Sequence, residues 1–264
     1  MAKGSRGGQR GTASTVSRLN ATQNVNQQAQ TQQPQVDTTQ QPQAFSTNYN
    51  NFMAMTDDQK ADAISKLASQ GVPANLADND FQRLTFNLGL NDKPQVVDDA
   101  TLDKMKGTEL FRTVNEVYDS KSDTHWNADD IINQIQKGSV TRVSDNGGSA
   151  YGRGIYFADT YSESSFYGNS RGNIKKTAVG RAKLNSNANI ITHSKAVSGA
   201  RSEINSGSKL GKALRKCDSA SQASIYAMAK GYNVIISGHG YYNVLNRNAI
   251  TMSDQIKAGS NKWK

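Results

Sequence analysis

A short run of residues carries the types and spacing needed to hold a flat ring bearing an amide. In "YGRGIYFADTYSESSFYG", Tyr151 to Gly168, the pair Gly152 and Gly154 leads into the aromatic-rich "GIYFA", and Ser164 and Tyr167 follow. Glycines at these points let the backbone pass close to a neighbour or a ligand. Read as a strand, "GIYFA" turns Ile155 and Phe157 one way and Tyr156 and Ala158 the other, so a tyrosine and a small residue share a face. "SESSFYG" reads as the first turns of a helix capped by Ser162, which puts Ser164 and Tyr167 three apart on one face. One hydroxyl and two aromatic rings would then converge on a slot. The competing interpretation is a core tyrosine with a satisfied hydroxyl beside an ordinary helix start.

The elements that must position this slot are legible around it. "TDDQKADAISKLASQG" predicts a helix with a Thr56/Gln59 capping box, an apolar face of Ala61, Ile64, Leu67 and Ala68, and Gly71 as a stop. "DNDFQRLTFNLG" predicts a second helix and "DDATLDKM" an acidic helix start. "TELFRTVNEVY", residues 108–118, reads as a strand, and "NADDIINQIQKG" as a helix capped by Asn127 and ended by Gly138. "SVTRVS" reads as a strand closed by the turn "DNGG", and "TAVGRAKL" and "NSNANIIT" as further strands. "DSASQASIYAMAKG" predicts a helix stopped by Gly231, followed by the short strands "YNVIIS", "YYNVLN" and "AITM". Strands and helices do not alternate regularly, so the fold class is α+β and not a doubly wound sheet.

Composition bounds the partners. The chain has 264 residues, 35% of them hydrophobic, with a formal net charge of +9. Residues 1–50 hold eleven glutamines and one acid, Asp37, against Lys3, Arg6, Arg10 and Arg18. Such a segment buries too little apolar area to offset its ordering entropy, so it predicts a disordered basic tail with order starting near Thr56. A basic tail and a basic remainder favour anionic partners, nucleic acid among them. Cys217 is the sole cysteine, which excludes an internal disulfide and fits a reducing, intracellular setting. No apolar run approaches a membrane span, and His125, His193 and His239 lack companions at metal-ligand spacing.

"GRGIYFADTYSESSFYG" resembles the signature segment of the ADP-ribosyltransferase superfamily, above all its poly(ADP-ribose) polymerase branch, where Gly-Lys-Gly-Ile-Tyr-Phe-Ala-Asp precedes Ser-x-Ser-x-x-Tyr. "ELFRTV" is similar to the first core strand of that superfamily, "GRAKLNSNANII" to its middle strands and "AKGYNVIISGHGYYNVLNRNAI" to its closing strands. The resemblance spans residues 100–252 and implies a split, two-sheet β core, with residues 51–99 as a helical lobe of the same domain. It further implies NAD as substrate. Arg112 and Thr113 would lie at the ribose or pyrophosphate, Gly154, Phe157 and Ala158 would shape the slot, Ser164 would bond the nicotinamide carboxamide, Tyr167 would stack on the ring and Tyr156 would flank it.

The chemistry implied is glycosyl transfer through an oxocarbenium-like state, in which a late-strand Glu offsets the developing charge. Here that strand is "GYYNVLNRNAI", and no Asp or Glu lies between Asp218 and Asp254. Tyr242 and Asn243 each satisfy one register for the missing Glu. With Arg112 and Tyr156 they form the candidate catalytic set, and Asn243→Glu is expected to raise turnover. Glu116 on the first strand and Glu163 beside Ser164 are the carboxylates that could enter the site from elsewhere. The function expected is mono-ADP-ribosylation of a protein or nucleic-acid acceptor. The alternatives are an inactive structural or interaction protein, such as a virion component, and an NAD sensor. The polar tail and Asn/Gln/Ser-rich composition have a phage-like style, which would place the chain in a virion or an infected cytoplasm.

Overall fold

Order starts earlier than the composition predicts. Ser46 caps helix α1 (Thr47–Ala54) by accepting the Tyr49 N–H, and Tyr49 and Phe52 are buried against the helices that follow. Two aromatics three apart supply the apolar face that the preceding glutamine runs lack. The computed structural model describes residues 45–139, 141–144, 150–169 and 177–258, all within one compact unit. The expected disordered tail lies, up to residue 44, outside the described residues.

Helices α2 (Asp57–Leu67), α3 (Asp80–Asn87), α4 (Asp99–Lys104) and α5 (Ala128–Gln136) form where the sequence predicts them. Both halves of the Thr56/Gln59 capping box are made. Asn127 precedes α5 without capping it, because its side chain turns to Asp130 instead. Helix α6 (Tyr161–Asn169) is capped two residues earlier than expected. Thr160, not Ser162, accepts the Glu163 N–H through Oγ1 at 3.2 Å and the Ser164 N–H through its carbonyl at 3.1 Å. Two further helices, α7 (His193–Ser206) and α8 (Lys209–Arg215), were not legible in the sequence, whereas α9 (Ser219–Ala229) was. Gly199 lies within α7, Gly207 ends it in the left-handed region and Gly211 lies within α8. In the fold Gly211 lies so close to the Glu203 carbonyl that a side chain at that position would collide with it, so the glycine brings α7 and α8 together.

The strands are β1 (Gln95–Val97), β2 (Glu109–Asn115), β3 (Val117–Asp119), β4 (Thr124–Trp126), β5 (Ile155–Ala158), β6 (Thr177–Leu184), β7 (Ile190–Thr192), β8 (Val234–Ile236), β9 (Tyr241–Val244) and β10 (Ile250–Ala258). The strand expected from "SVTRVS" does not form in its described part. Thr141 and Ser144 bond each other's backbone (Thr141 N–H to Ser144 Oγ, 2.9 Å; Ser144 N–H to Thr141 Oγ1, 3.1 Å), and this local closure replaces a ladder.

Eight strands make one mostly antiparallel sheet in the order β1-β10-β6-β2-β5-β9-β8-β7, parallel only at β1/β10 and β7/β8. Its centre is nearly parted. Strand β2 pairs with β6 from Glu109↔Lys183 to Asn115↔Thr177, yet meets β5 at one position, Phe111↔Ala158. One face carries Leu110, Val114, Phe157, Ala182 and Val244 against Ile131, Ile132 and Ile135 of α5. The other carries Ile191, Ile235 and Leu245 against α1 to α3 and α7 to α9. The helical layer is therefore built from both ends of the domain, not from residues 51–99 alone.

Candidate functional site

Strand alternation sorts the candidate residues. Tyr156 pairs with Asn243 and Ala158 with Tyr241, so these four share a face; Phe157 and Tyr242 pair on the opposite face. The Phe111↔Ala158 register puts Phe111 and Thr113 on the Tyr156 face. Arg112 falls on the other side with Leu110 and Val114.

Where the sheet parts, side chains take up the backbone groups of the missing ladder. Arg112 is 8% exposed, and its guanidinium donates to the Tyr156 carbonyl at 2.7 Å and the Ser144 carbonyl at 2.8 Å. It bridges the split from the α5 side and does not reach into the slot expected to hold ribose or pyrophosphate. On the opposite face α6 packs against β2 and β5. Ser164, buried, accepts the Thr113 N–H through Oγ at 2.7 Å and donates to Thr113 Oγ1 at 3.0 Å. The side chain of Tyr167 lies outside the described residues.

The glycine pair forms a tight lid over β9. Gly152 and Gly154 have φ of 91° and 148°, where a side chain is strained. The Asn243 amide donates to the carbonyls of Tyr151 (3.0 Å) and Arg153 (3.1 Å), while the Ser224 hydroxyl donates to the Arg153 carbonyl at 2.7 Å. Asn243 is 1% exposed, and a Cβ on Gly154 would run into its Oδ1. This residue positions the turn. Replacing it by Glu would set a carboxylate against two carbonyl oxygens, so the rise in turnover expected from Asn243→Glu is withdrawn. Tyr242 gives no catalytic group either, because it packs against the α5-side core.

Tyr156 folds its hydroxyl back onto the same turn, donating to the Gly152 carbonyl at 2.6 Å and accepting the Tyr151 N–H at 2.9 Å. Burial pushes its pKa up to about 12, so it is a neutral ring wall. Phe157 and Ala158 are buried, the first in the core, the second beneath the slot.

Tyr151, Arg153 and His193, which the sequence did not single out for the site, lie with Tyr241 and Glu163 around the same face. Tyr151 stacks on Tyr241, with centroids 6.0 Å apart and planes at 19°, and meets His193 edge-on at 5.3 Å. Burial lowers the His193 pKa, which favours the neutral imidazole. Arg153 is half-buried, and its Nε has no hydrogen-bond partner among the described residues. Its charge acts on both Tyr156 and Asp218. Tyr241 donates its hydroxyl to Glu163 Oε2 at 2.6 Å, tying the exposed start of α6 to the late strand. The one available signal for Tyr151 and Arg153 was their place beside the glycine pair. Among the described residues no helix is long and apolar enough to cross a membrane, and no group of His, Cys, Asp and Glu could hold a metal ion.

No protein-family model, curated protein or solved structure matches the chain. The ADP-ribosyltransferase resemblance therefore rests on the residues quoted for it alone.

Proposed function

We propose that the chain binds NAD as a substrate on the α6 face of the split sheet and transfers its ADP-ribose to a protein or nucleic-acid acceptor. The observation that carries this reading lies where the ladder between β2 and β5 opens. There Ser164 Oγ accepts the Thr113 N–H at 2.7 Å and its hydroxyl donates to Thr113 Oγ1 at 3.0 Å, so both groups are held by side-chain contacts and not by a strand. A carboxamide oxygen can accept from both once Ser164 releases Thr113. Tyr156, Tyr151 and Tyr241 give the flat walls an aromatic ring needs. Arg153 supplies positive charge beside Tyr156, the role expected of Arg112, and the chain's net charge of +9 suits an anionic substrate and a nucleic-acid acceptor. Bound this way, the nicotinamide would be fixed by its amide while the bond from its ring nitrogen to ribose breaks.

Calorimetric titration of the full chain with NAD tests the reading, and absence of binding overturns it. Ser164→Ala should weaken NAD by about 0.5–1.5 kcal/mol, the worth of one hydrogen bond. Incubation with labelled NAD and cell lysate then reads transfer. One observation favours a second reading, an NAD sensor or an interaction protein that has given up catalysis. The late strand offers only uncharged Tyr241, Tyr242 and Asn243 where the resemblance expects Glu. NAD binding with no labelled acceptor and no nicotinamide release would support it.

A further inference from the structure

The reaction proposed above needs a negative charge near the ribose, and strand β9 has none. Its three candidate positions are accounted for differently. Tyr242 packs into the α5-side core, Asn243 is sealed beneath the Gly152–Gly154 turn, and Tyr241 extends its hydroxyl to Glu163 Oε2 at 2.6 Å. The carboxylate thus reaches the late strand from outside it.

Helix α6 makes this possible by straddling the split. Thr160 fixes its first turn. From there two consecutive residues diverge: Ser164 turns down to β2 and bonds Thr113, while Glu163 turns to β9 and accepts from Tyr241. Ser164 is buried and Glu163 is exposed, so the first can hold an amide while the second stays open to substrate and solvent. Glu116, the other carboxylate that the sequence offered for this role, lies past the end of β2 in the link to the β3/β4 hairpin.

We infer that Glu163, oriented by Tyr241, is the carboxylate that serves the transfer; this rests on the NAD reading above. The bond between ribose C1′ and the nicotinamide nitrogen breaks, and its electron pair leaves with nicotinamide. The Glu163 carboxylate offsets the positive charge that develops on the ribose. A hydroxyl or amine of the acceptor, or water, then bonds to C1′ and gives its proton to Glu163, which passes it to solvent. Tyr241 is a positioning residue, since it acts through the orientation of Glu163.

Glu163→Gln, Glu163→Asp and Tyr241→Phe in the full chain test this, with NAD affinity read by calorimetry and nicotinamide release read in parallel. Glu163→Gln should slow nicotinamide release on the order of 100- to 1000-fold, as loss of an electrostatic partner does. Its affinity for NAD should stay within about threefold and its melting temperature should hold, because Glu163 is exposed. Tyr241→Phe should lower kcat with KM little changed, and Glu163→Asp should restore part of the rate. A Glu163→Gln protein that binds NAD and releases nicotinamide like the parent overturns the assignment and leaves the NAD site standing. A parent that binds NAD without any turnover also overturns it. A parent that fails to bind NAD overturns the NAD reading and this inference together.

Discussion

The two edges of β2 are built in opposite ways. Along one edge the strand is zipped to β6 from Glu109 to Asn115; along the other it touches β5 at Phe111 alone. On the zipped side the backbone groups satisfy one another, and Gly180 lets Ile132 of α5 press onto the ladder, with a Cβ there 3.0 Å from Ile132 Cγ2. On the open side the same kind of groups are met by the Arg112 and Ser164 side chains. A backbone group held by a side chain can be released by a rotamer change, whereas a ladder bond is released only by moving the strand. The closed edge therefore gives β2 its rigidity, and the open edge holds backbone groups that a rotamer change can release.

Substitutions on each edge should separate these roles. The largest effect belongs to the closed side. Leu110→Ala removes a fully buried side chain from the α5-side core and should cost about 2–5 kcal/mol in denaturant unfolding. Next comes the bridge. Arg112→Leu leaves the Tyr156 and Ser144 carbonyls without a charged donor and should cost about 1.5–3 kcal/mol. Arg112→Lys should recover little of it, since a single ammonium cannot fork to both carbonyls. If Arg112→Leu is as stable as the parent, the guanidinium does not hold the split. Gly154→Ala imposes a side chain at φ 148° against Asn243 and should cost about 1–3 kcal/mol, with a blue-shifted or quenched tyrosine signal as the turn moves off Tyr156.

Smaller effects sharpen the open edge. Ser164→Ala should cost only about 0.5–1.5 kcal/mol of stability while its hydrogen-exchange signature, faster exchange of the Thr113 amide, stays local. Exchange accelerating along the whole of β2 would mean that the two edges are not independent. The least effect is the pH dependence set by His193. Its folded pKa lies below the usual 6.5, so the unfolded chain takes up the proton first as pH falls. Stability should be full above that value and decline as pH drops below it. His193→Asn should remove this dependence without changing stability at pH 8, which urea unfolding at the two pH values checks.

Much of the frame was legible in advance because local rules agree with the fold. The capping box at Thr56, the apolar face of α2 and the helix stop at Gly231 all formed as read. The alternation of "GIYFA" sent Phe157 to the core and Tyr156 to the slot face. The failures have particular causes. Thr141 and Ser144 close on each other instead of pairing with a strand. Helices α7 and α8 carry glycines whose purpose is close packing, so their helical periodicity is diluted by residues that usually end helices. Arg112 looked like a phosphate ligand because its charge fits one, but chemistry alone does not say which side of a strand a residue occupies.

The sequence by itself determined the α+β class, several of the short strands and the alternation of "GIYFA". These follow from side-chain period, capping and turn chemistry, which act between near neighbours. Only the tertiary structure decided which of those residues meet. It placed Arg112 behind the sheet, sealed Asn243 under a glycine turn and brought Glu163 of α6 to Tyr241 of β9 across 78 positions of chain. Such pairings depend on strand register and on how a helix crosses a gap in a ladder. No local pattern encodes that distance, because it is set by the packing of elements that are far apart in the chain.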